Sequence, residues 1–176
     1  MSKRNEQHVR HDVFALMYTS FVNKVVKDGA GNDGGLFRVG ARIGERMADD
    51  FFFTAGPRKP MGLLDVSQDV SETFFPHYFS FRPAYSQGII ALGKFPMLQY
   101  TRREKECLEL ICGILEGVYG YVSKEGISFE ASEYNGEYCI IVRDGERKGP
   151  VVMRFNEEVD EGQGICFEPR DVVSSK

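Results

Sequence analysis

The chain has 176 residues and a formal net charge of −4, with 42% hydrophobic and 27% charged residues. This length favours a single domain with a substantial core, and the negative charge argues against a general nucleic-acid binder. The first twelve residues are polar, and no apolar run reaches the roughly 18 residues needed to span a bilayer. We therefore expect a cytoplasmic protein with neither a secretory signal nor a membrane span.

The first predicted helix covers residues 13–27, where apolar side chains recur at helical spacing. Asp12 is its predicted N-cap, and the glycine-rich segment 29–35 ends it. The polar residues before it, 1–11, are predicted to form a flexible arm.

Two further helices are predicted in the first half of the chain. Residues 36–53 form the second, in which Gly40 and Gly44 lie four apart, a spacing that lets another element pack closely. Residues 65–79 form the third, and Pro76 either ends or kinks it.

Residues 106–122 are predicted to form a helix that is apolar around most of its circumference. A glycine costs about 1 kcal/mol relative to alanine inside a helix, and Gly113 and Gly117 therefore indicate close approach of another backbone. The narrow polar stripe consists of Glu109, Gly113, Glu116 and Gly120. This helix is either a central core helix or one that packs on a sheet and also faces a partner subunit or an apolar ligand.

Short apolar or alternating runs predict strands at 88–92, 95–100, 127–134, 137–143 and 151–156. Gly93-Lys94 and Asn135-Gly136 are the predicted turns of two hairpins, and Asn-Gly is the stronger signal. The separation of helices from strands predicts an α+β fold in the order ααα-ββ-α-ββ. In this fold a four-helix layer packs on an antiparallel sheet.

Side chains suited to catalysis or metal binding are few. His77 lies in an aromatic segment, where a core or boundary histidine is favoured over a catalytic base. The cysteines at 107, 112, 139 and 166 have no CxxC spacing and are interpreted as reduced thiols. The sequence contains no GxSxG or HExxH motif. We expect neither an enzyme nor a metal site.

Three stretches, VFALMYTSFVNKVVKD, VGARIGERMADDF and LICGILEG, resemble small subunits of the TRAPP vesicle-tethering complex. The resemblance spans about residues 12–156 and is closest to the subunit with a buried fatty-acyl channel. It implies a scaffold that pairs with other small subunits, as a heterodimer or homodimer. The implied complex promotes nucleotide exchange on a Rab-type GTPase in ER-to-Golgi transport, with peripheral contact to Golgi and ER-Golgi membranes.

The acyl-channel subunit of that family carries a palmitoyl chain on a cysteine, but residues 54–64 contain no cysteine. Aligned without gaps, the acylated position falls on Pro60, so the resemblance implies at most a non-covalent fatty-acyl ligand and no other cofactor. Apolar side chains could line such a channel or fill it. The predicted channel residues are Phe14, Met17, Phe21, Gly40, Ile43, Gly44, Met47, Phe51, Phe74, Tyr78, Gly113 and Leu115.

The domain division predicted from these patterns is an arm at 1–11, a TRAPP-like domain at 12–156 and an acidic tail at 157–176. Within the tail, the apolar triplet Ile165, Cys166 and Phe167 is either a contact arm for the GTPase or a short edge strand. An alternative function for the same fold is a free-standing domain that binds a hydrocarbon or lipid.

Overall fold

The computed structural model describes residues 3–29, 34–55, 62–93, 95–122, 127–134, 137–144 and 152–155. The helices in these ranges are α1 (Lys3–Lys27), α2 (Gly35–Ala55), α3 (Leu63–Asp69), α4 (Phe75–Phe79) and α5 (Glu104–Val122). The strands are β1 (Ala84–Ser86), β2 (Ile89–Gly93), β3 (Ile127–Tyr134), β4 (Glu137–Asp144) and β5 (Val152–Phe155). The predicted α+β class is confirmed.

α1 begins at Lys3, so the predicted start at residue 13 with Asp12 as N-cap is wrong. Residues 3–11 include Lys, Arg, Glu and Gln, which lose little side-chain freedom in a helix. Because these residues are mostly polar, they lack the recurring apolar side chains from which the start of the helix was predicted. The division of the chain into arm, domain and tail stays a prediction, and residues 157–176 lie outside the described ranges.

One face of α1 contributes to the core. Ala15, Tyr18 and Val22 are buried at the spacing of a helix face. The Tyr18 hydroxyl donates a hydrogen bond to the Cys107 carbonyl oxygen at 3.0 Å, which ties α1 to the first turn of α5.

α3 and α4 form one continuous helical segment, because a π-helical turn (Val70–Phe74) joins them directly. The Phe75 N–H donates to the Val70 carbonyl oxygen, one residue further than in an α-helix. Pro76 follows at once, and a proline cannot donate the backbone bond that an α-helix would require there. The helix nevertheless does not end at Pro76 but continues to Phe79, before the left-handed Ser80.

The five described strands form one sheet in the order β1-β2-β4-β3-β5. Neighbours from β1 to β3 are antiparallel, and β5 runs parallel to β3. The predicted hairpin of β3 and β4 is confirmed by a continuous register that ends with Tyr134 opposite Glu137. α5 packs on the sheet, where the Tyr119 and Phe129 rings meet edge to face at 5.4 Å.

The predicted hairpin around Gly93-Lys94 is wrong. β2 instead pairs with β1, and Ser86 lies opposite Ile89 across a two-residue turn. Both turn residues have positive φ, 45° at Gln87 and 84° at Gly88, as the tightest hairpin turns require. The second half of the predicted hairpin is a 3-10 helix, Pro96–Tyr100, because a proline at its first position fixes a helical φ and donates no bond to a sheet.

Candidate functional site

The glycines predicted at the channel belong to a contact between two helix backbones. A Cβ added to Gly40 or Gly44 would lie less than 3.0 Å from the backbone of Leu110 or Ile114 in α5. Added to Gly113, it would meet the Phe37 backbone in α2 within the same distance. These glycines therefore allow α2 and α5 to touch, and the close approach predicted at Gly113 and Gly117 is a contact with α2.

The structure brings Phe51, Phe74 and Tyr78 together in one aromatic cluster. The ring centroids of Phe51 and Phe74 are 5.5 Å apart, and those of Phe74 and Tyr78 are 4.8 Å apart. The Tyr78 hydroxyl donates to Asp50 Oδ2 at 2.8 Å. Partial burial and this hydrogen bond raise the pKa of Tyr78 to about 12, so it remains a neutral donor at physiological pH.

The other predicted channel residues that the structure describes differ widely in burial. Leu115 is fully buried on α5, whereas Ile43 and Met47 of α2 pack against the core only partly buried. Met17 and Phe21 lie on α1 with 66% and 41% of their surface exposed. The side chain of Phe14, the segment holding Pro60 and the tail triplet Ile165, Cys166 and Phe167 lie outside the description.

The exposed side of α1 carries an apolar strip. Val13, Leu16, Met17 and Phe21 follow each other at helical spacing and are 51%, 51%, 66% and 41% exposed. We call these four residues the outer face of α1. An exposed apolar strip of this kind is typical of a surface that contacts another molecule. Sequence periodicity identified the apolar residues of α1 but could not divide them between the core and this face.

The polar stripe of α5 has structural roles that the sequence did not reveal. Glu109 accepts a hydrogen bond from the Phe37 N–H at 3.2 Å and so caps the first turn of α2. Burial raises the pKa of Glu109, and the Phe37 bond opposes that shift. Glu116 is 7% exposed and Gly113 faces α2, so the stripe is covered at these two positions.

The thiols of α5 are unsuited to nucleophilic chemistry. Cys107 and Cys112 are buried. Burial raises the pKa of Cys107 to about 11. A hydrogen bond from Thr101 opposes this rise, and the nearby carboxylates of Glu106 and Glu104 add to it. Burial also raises the pKa of Cys112, so both thiols are protonated at neutral pH. His77 is exposed on α4, edge-on to Tyr78.

Over the described ranges, no three His, Cys, Asp or Glu side chains are grouped so that they could hold a metal ion. In the same ranges, none of the helices has the length and apolar character that crossing a bilayer requires.

The solved structures include one with a similar fold, a trafficking protein particle complex subunit 3 from Naegleria fowleri covalently bound to palmitic acid. The two chains share a TM-score of 0.65 and 17% sequence identity, and the match covers 79% of this chain and 97% of that chain. No protein-family model and no curated protein matches the sequence. At this identity the likeness establishes the fold alone, which is the fold of a TRAPP small subunit.

Proposed function

We propose that the chain is a non-enzymatic scaffold subunit of a TRAPP-type vesicle-tethering complex. The complex promotes nucleotide exchange on a Rab-type GTPase in ER-to-Golgi transport, and the chain is cytoplasmic and peripheral at Golgi and ER-Golgi membranes. The similarity in fold to a TRAPP subunit supports this proposal. The observation that carries it is the outer face of α1, because a scaffold subunit needs a surface for another subunit.

The outer face of α1 suits a helix–helix contact with a second small subunit. Its four apolar side chains lie at the spacing that lets one helix pack along another. Lys24 and Asp28 follow it and pair with each other at 2.9 Å. The partner is a different small subunit of the complex, or a second copy of this chain.

A matched pair of substitutions tests the proposed interface. Leu16→Asp places a charge on the outer face of α1, and Leu64→Asp places the same charge at an exposed leucine of α3. The parent and the Leu64 variant should each capture a small TRAPP subunit in pull-down and light-scattering measurements. The Leu16 variant should lose that capture while melting like the parent. A parent chain that stays a clean monomer and captures no such subunit would contradict the proposal.

A non-covalent fatty-acyl ligand is part of this proposal. The neighbouring structure is bound covalently to palmitic acid, whereas residues 54–64 of this chain contain no thiol. A guest near the aromatic cluster of Phe51, Phe74 and Tyr78 would have to displace ring contacts. Native mass spectra should then show a mass increment that denaturation removes. An increment that survives denaturation and is lost to hydroxylamine would place the acyl chain on another cysteine.

The alternative is a free-standing lipid-binding domain, which the palmitic acid in the neighbouring structure favours. In that case the isolated chain holds a lipid and is monodisperse without partners. The Leu16 and Leu64 variants would then behave alike, and the same pull-down decides between the two functions.

A further inference from the structure

Three aromatic side chains lie at the C-terminal ends of α2 and α5, far along both helices from the contact between Glu109 and Phe37. The two helices run parallel, because Gly40 approaches Gly113 and the backbone of residues 41–45 approaches Gly117. Their C-terminal ends therefore lie at the same end of the molecule. Phe52, Phe53 and Tyr121 occupy this place, and we call them the aromatic end.

The aromatic end presents its rings to solvent. Phe52 and Tyr121 stack with centroids 5.4 Å apart and ring planes within 4° of parallel. Tyr121 is 57% exposed and Phe53 is 89% exposed, whereas the preceding Phe51 is 5% exposed in the core. Packing of the core therefore explains why residue 51 is a phenylalanine. It does not explain the phenylalanine at position 53, because the ring of Phe53 touches little of the protein.

We propose that the aromatic end is a membrane-docking site that inserts Phe53 and Tyr121 into the interfacial layer of a phospholipid bilayer. A phenyl ring gains most by entering the boundary of the acyl chains, and a tyrosine places its ring there while its hydroxyl stays hydrated. The Phe52–Tyr121 stack fixes the tyrosine ring at the end of α5, and Phe53 lies at the end of α2 on the same side of the molecule, so each helix presents an exposed aromatic ring to the lipid.

The size and position of the patch favour a lipid surface over a protein partner. A stable protein interface buries about 800 Å² on each side, more than three partly exposed rings at a helix end can supply. A bilayer requires only that a few aromatic side chains project from one end. The outer face of α1, the larger apolar surface, belongs to another helix and remains the candidate for subunit contact.

The charged side chains described just before Phe53 are acidic. The basic residues Arg58, Lys59 and Lys124 follow Phe53 and Tyr121 in the sequence but lie outside the described ranges, so the aromatic rings alone carry the proposed insertion. The exposed acids Asp49 and Asp50 precede Phe53 by about one helical turn, and Asp50 accepts the Tyr78 hydrogen bond.

Vesicle binding of the full chain tests the site with variants matched in residue type. The probes are vesicles of phosphatidylcholine alone and of phosphatidylcholine mixed with phosphatidylserine. Phe53→Ser and Tyr121→Ser should each lower the partition coefficient about tenfold, since each removes an aromatic ring from the lipid. Tyr100→Ser is the control, because Tyr100 is 44% exposed just before the opposite end of α5 and should leave binding unchanged.

The outcomes separate this site from the proposed function, because vesicle binding is measured on the chain without partner subunits. Loss of binding in both end variants, with parental melting and parental pull-down, would support the site. Absence of vesicle binding by the parent would overturn it. So would equal binding by all variants, or end variants that keep vesicle binding and lose subunit capture, which would make the aromatic end a protein contact.

Discussion

Gly113 and Gly40 allow α5 and α2 to approach until their backbones touch. A Cβ at Gly113 would collide with the carbonyl group of Phe37, and a backbone atom cannot move aside as a flexible side chain can. Gly120, seven residues later in the same helix, has nothing within 4 Å of the position of such a Cβ. Gly113 and Gly120 therefore differ in how closely other atoms approach them, although both lie in α5.

Gly113→Ala should lower the free energy of unfolding by about 1–3 kcal/mol through overpacking. Gly120→Ala should raise it by up to about 1 kcal/mol, because alanine is favoured over glycine in a helix and meets no obstacle there. Urea denaturation of both variants measures the difference. Equal stabilisation by both substitutions would show that α2 and α5 are not in close contact.

Cys107 and Cys112 should make the fold sensitive to alkaline pH. In the unfolded chain a thiol titrates near pH 9.0, whereas burial raises the pKa of Cys107 to about 11 and that of Cys112 also upward. Their contribution to stability is complete below pH 9.0 and falls as pH rises towards the folded pKa, because only the unfolded state releases these protons.

The free energy of unfolding should thus decline between pH 9 and pH 11 by on the order of 1 kcal/mol per thiol. A chain with Cys107→Ala and Cys112→Ala should show a shallower decline, whatever its stability at neutral pH. Denaturation under reducing conditions across this range gives both slopes, and identical slopes would refute the role of these thiols.

At the scale of elements, the strands that the sequence predicted correctly have strong local signals. Asn135-Gly136 separates β3 from β4, and the observed register starts at the residues on either side. The β1–β2 turn uses Gln87-Gly88, in which glutamine is an unusual residue for a positive φ. That turn was therefore missed, and the apolar residues after Gly93 were assigned to a strand although Pro96 starts a 3-10 helix.

The same turn yields a prediction for β1 and β2. Gln87→Asn should raise the free energy of unfolding by about 0.5 kcal/mol, because asparagine accepts positive φ more readily than glutamine and Asn-Gly is the preferred sequence of this turn. Thermal melting measures the gain. Gln68→Asn on an exposed position of α3 is the control and should give no gain; a loss at Gln87 would contradict the observed turn.

Tertiary contacts explain why the candidate site was only partly predictable. The cost of a glycine inside a helix predicted that another backbone approaches Gly113, but only the structure shows that this backbone belongs to α2. Whether Met17 faces the core or solvent depends on which neighbour α1 meets. The cap that Glu109 provides for Phe37 joins residues 72 positions apart, and no local pattern reports such a bond.

At the scale of the whole molecule, the acidic tail carries the net charge of the chain. Six acids and two bases follow residue 155. We predict that residues 157–176 contact the GTPase in the assembled complex. Truncation after Asn156 should leave assembly intact and slow nucleotide exchange, measured by release of a fluorescent nucleotide. If the apolar triplet is the contact, Phe167→Ser should slow nucleotide exchange as the truncation does. An unchanged rate of nucleotide exchange in the assembled complex would show that the tail has no part in it.

The central claim is that this fold uses the outer face of α1 to join a second small subunit of a TRAPP-type complex. Hydrogen–deuterium exchange of the chain, alone and mixed with candidate small subunits, tests this claim most directly. We predict that mixing slows hydrogen–deuterium exchange at residues 13–21 of α1. The Leu16→Asp variant should not show this protection, and the Leu64→Asp variant should show it. Unchanged exchange along α1 with every candidate subunit, or protection confined to other elements, would contradict it.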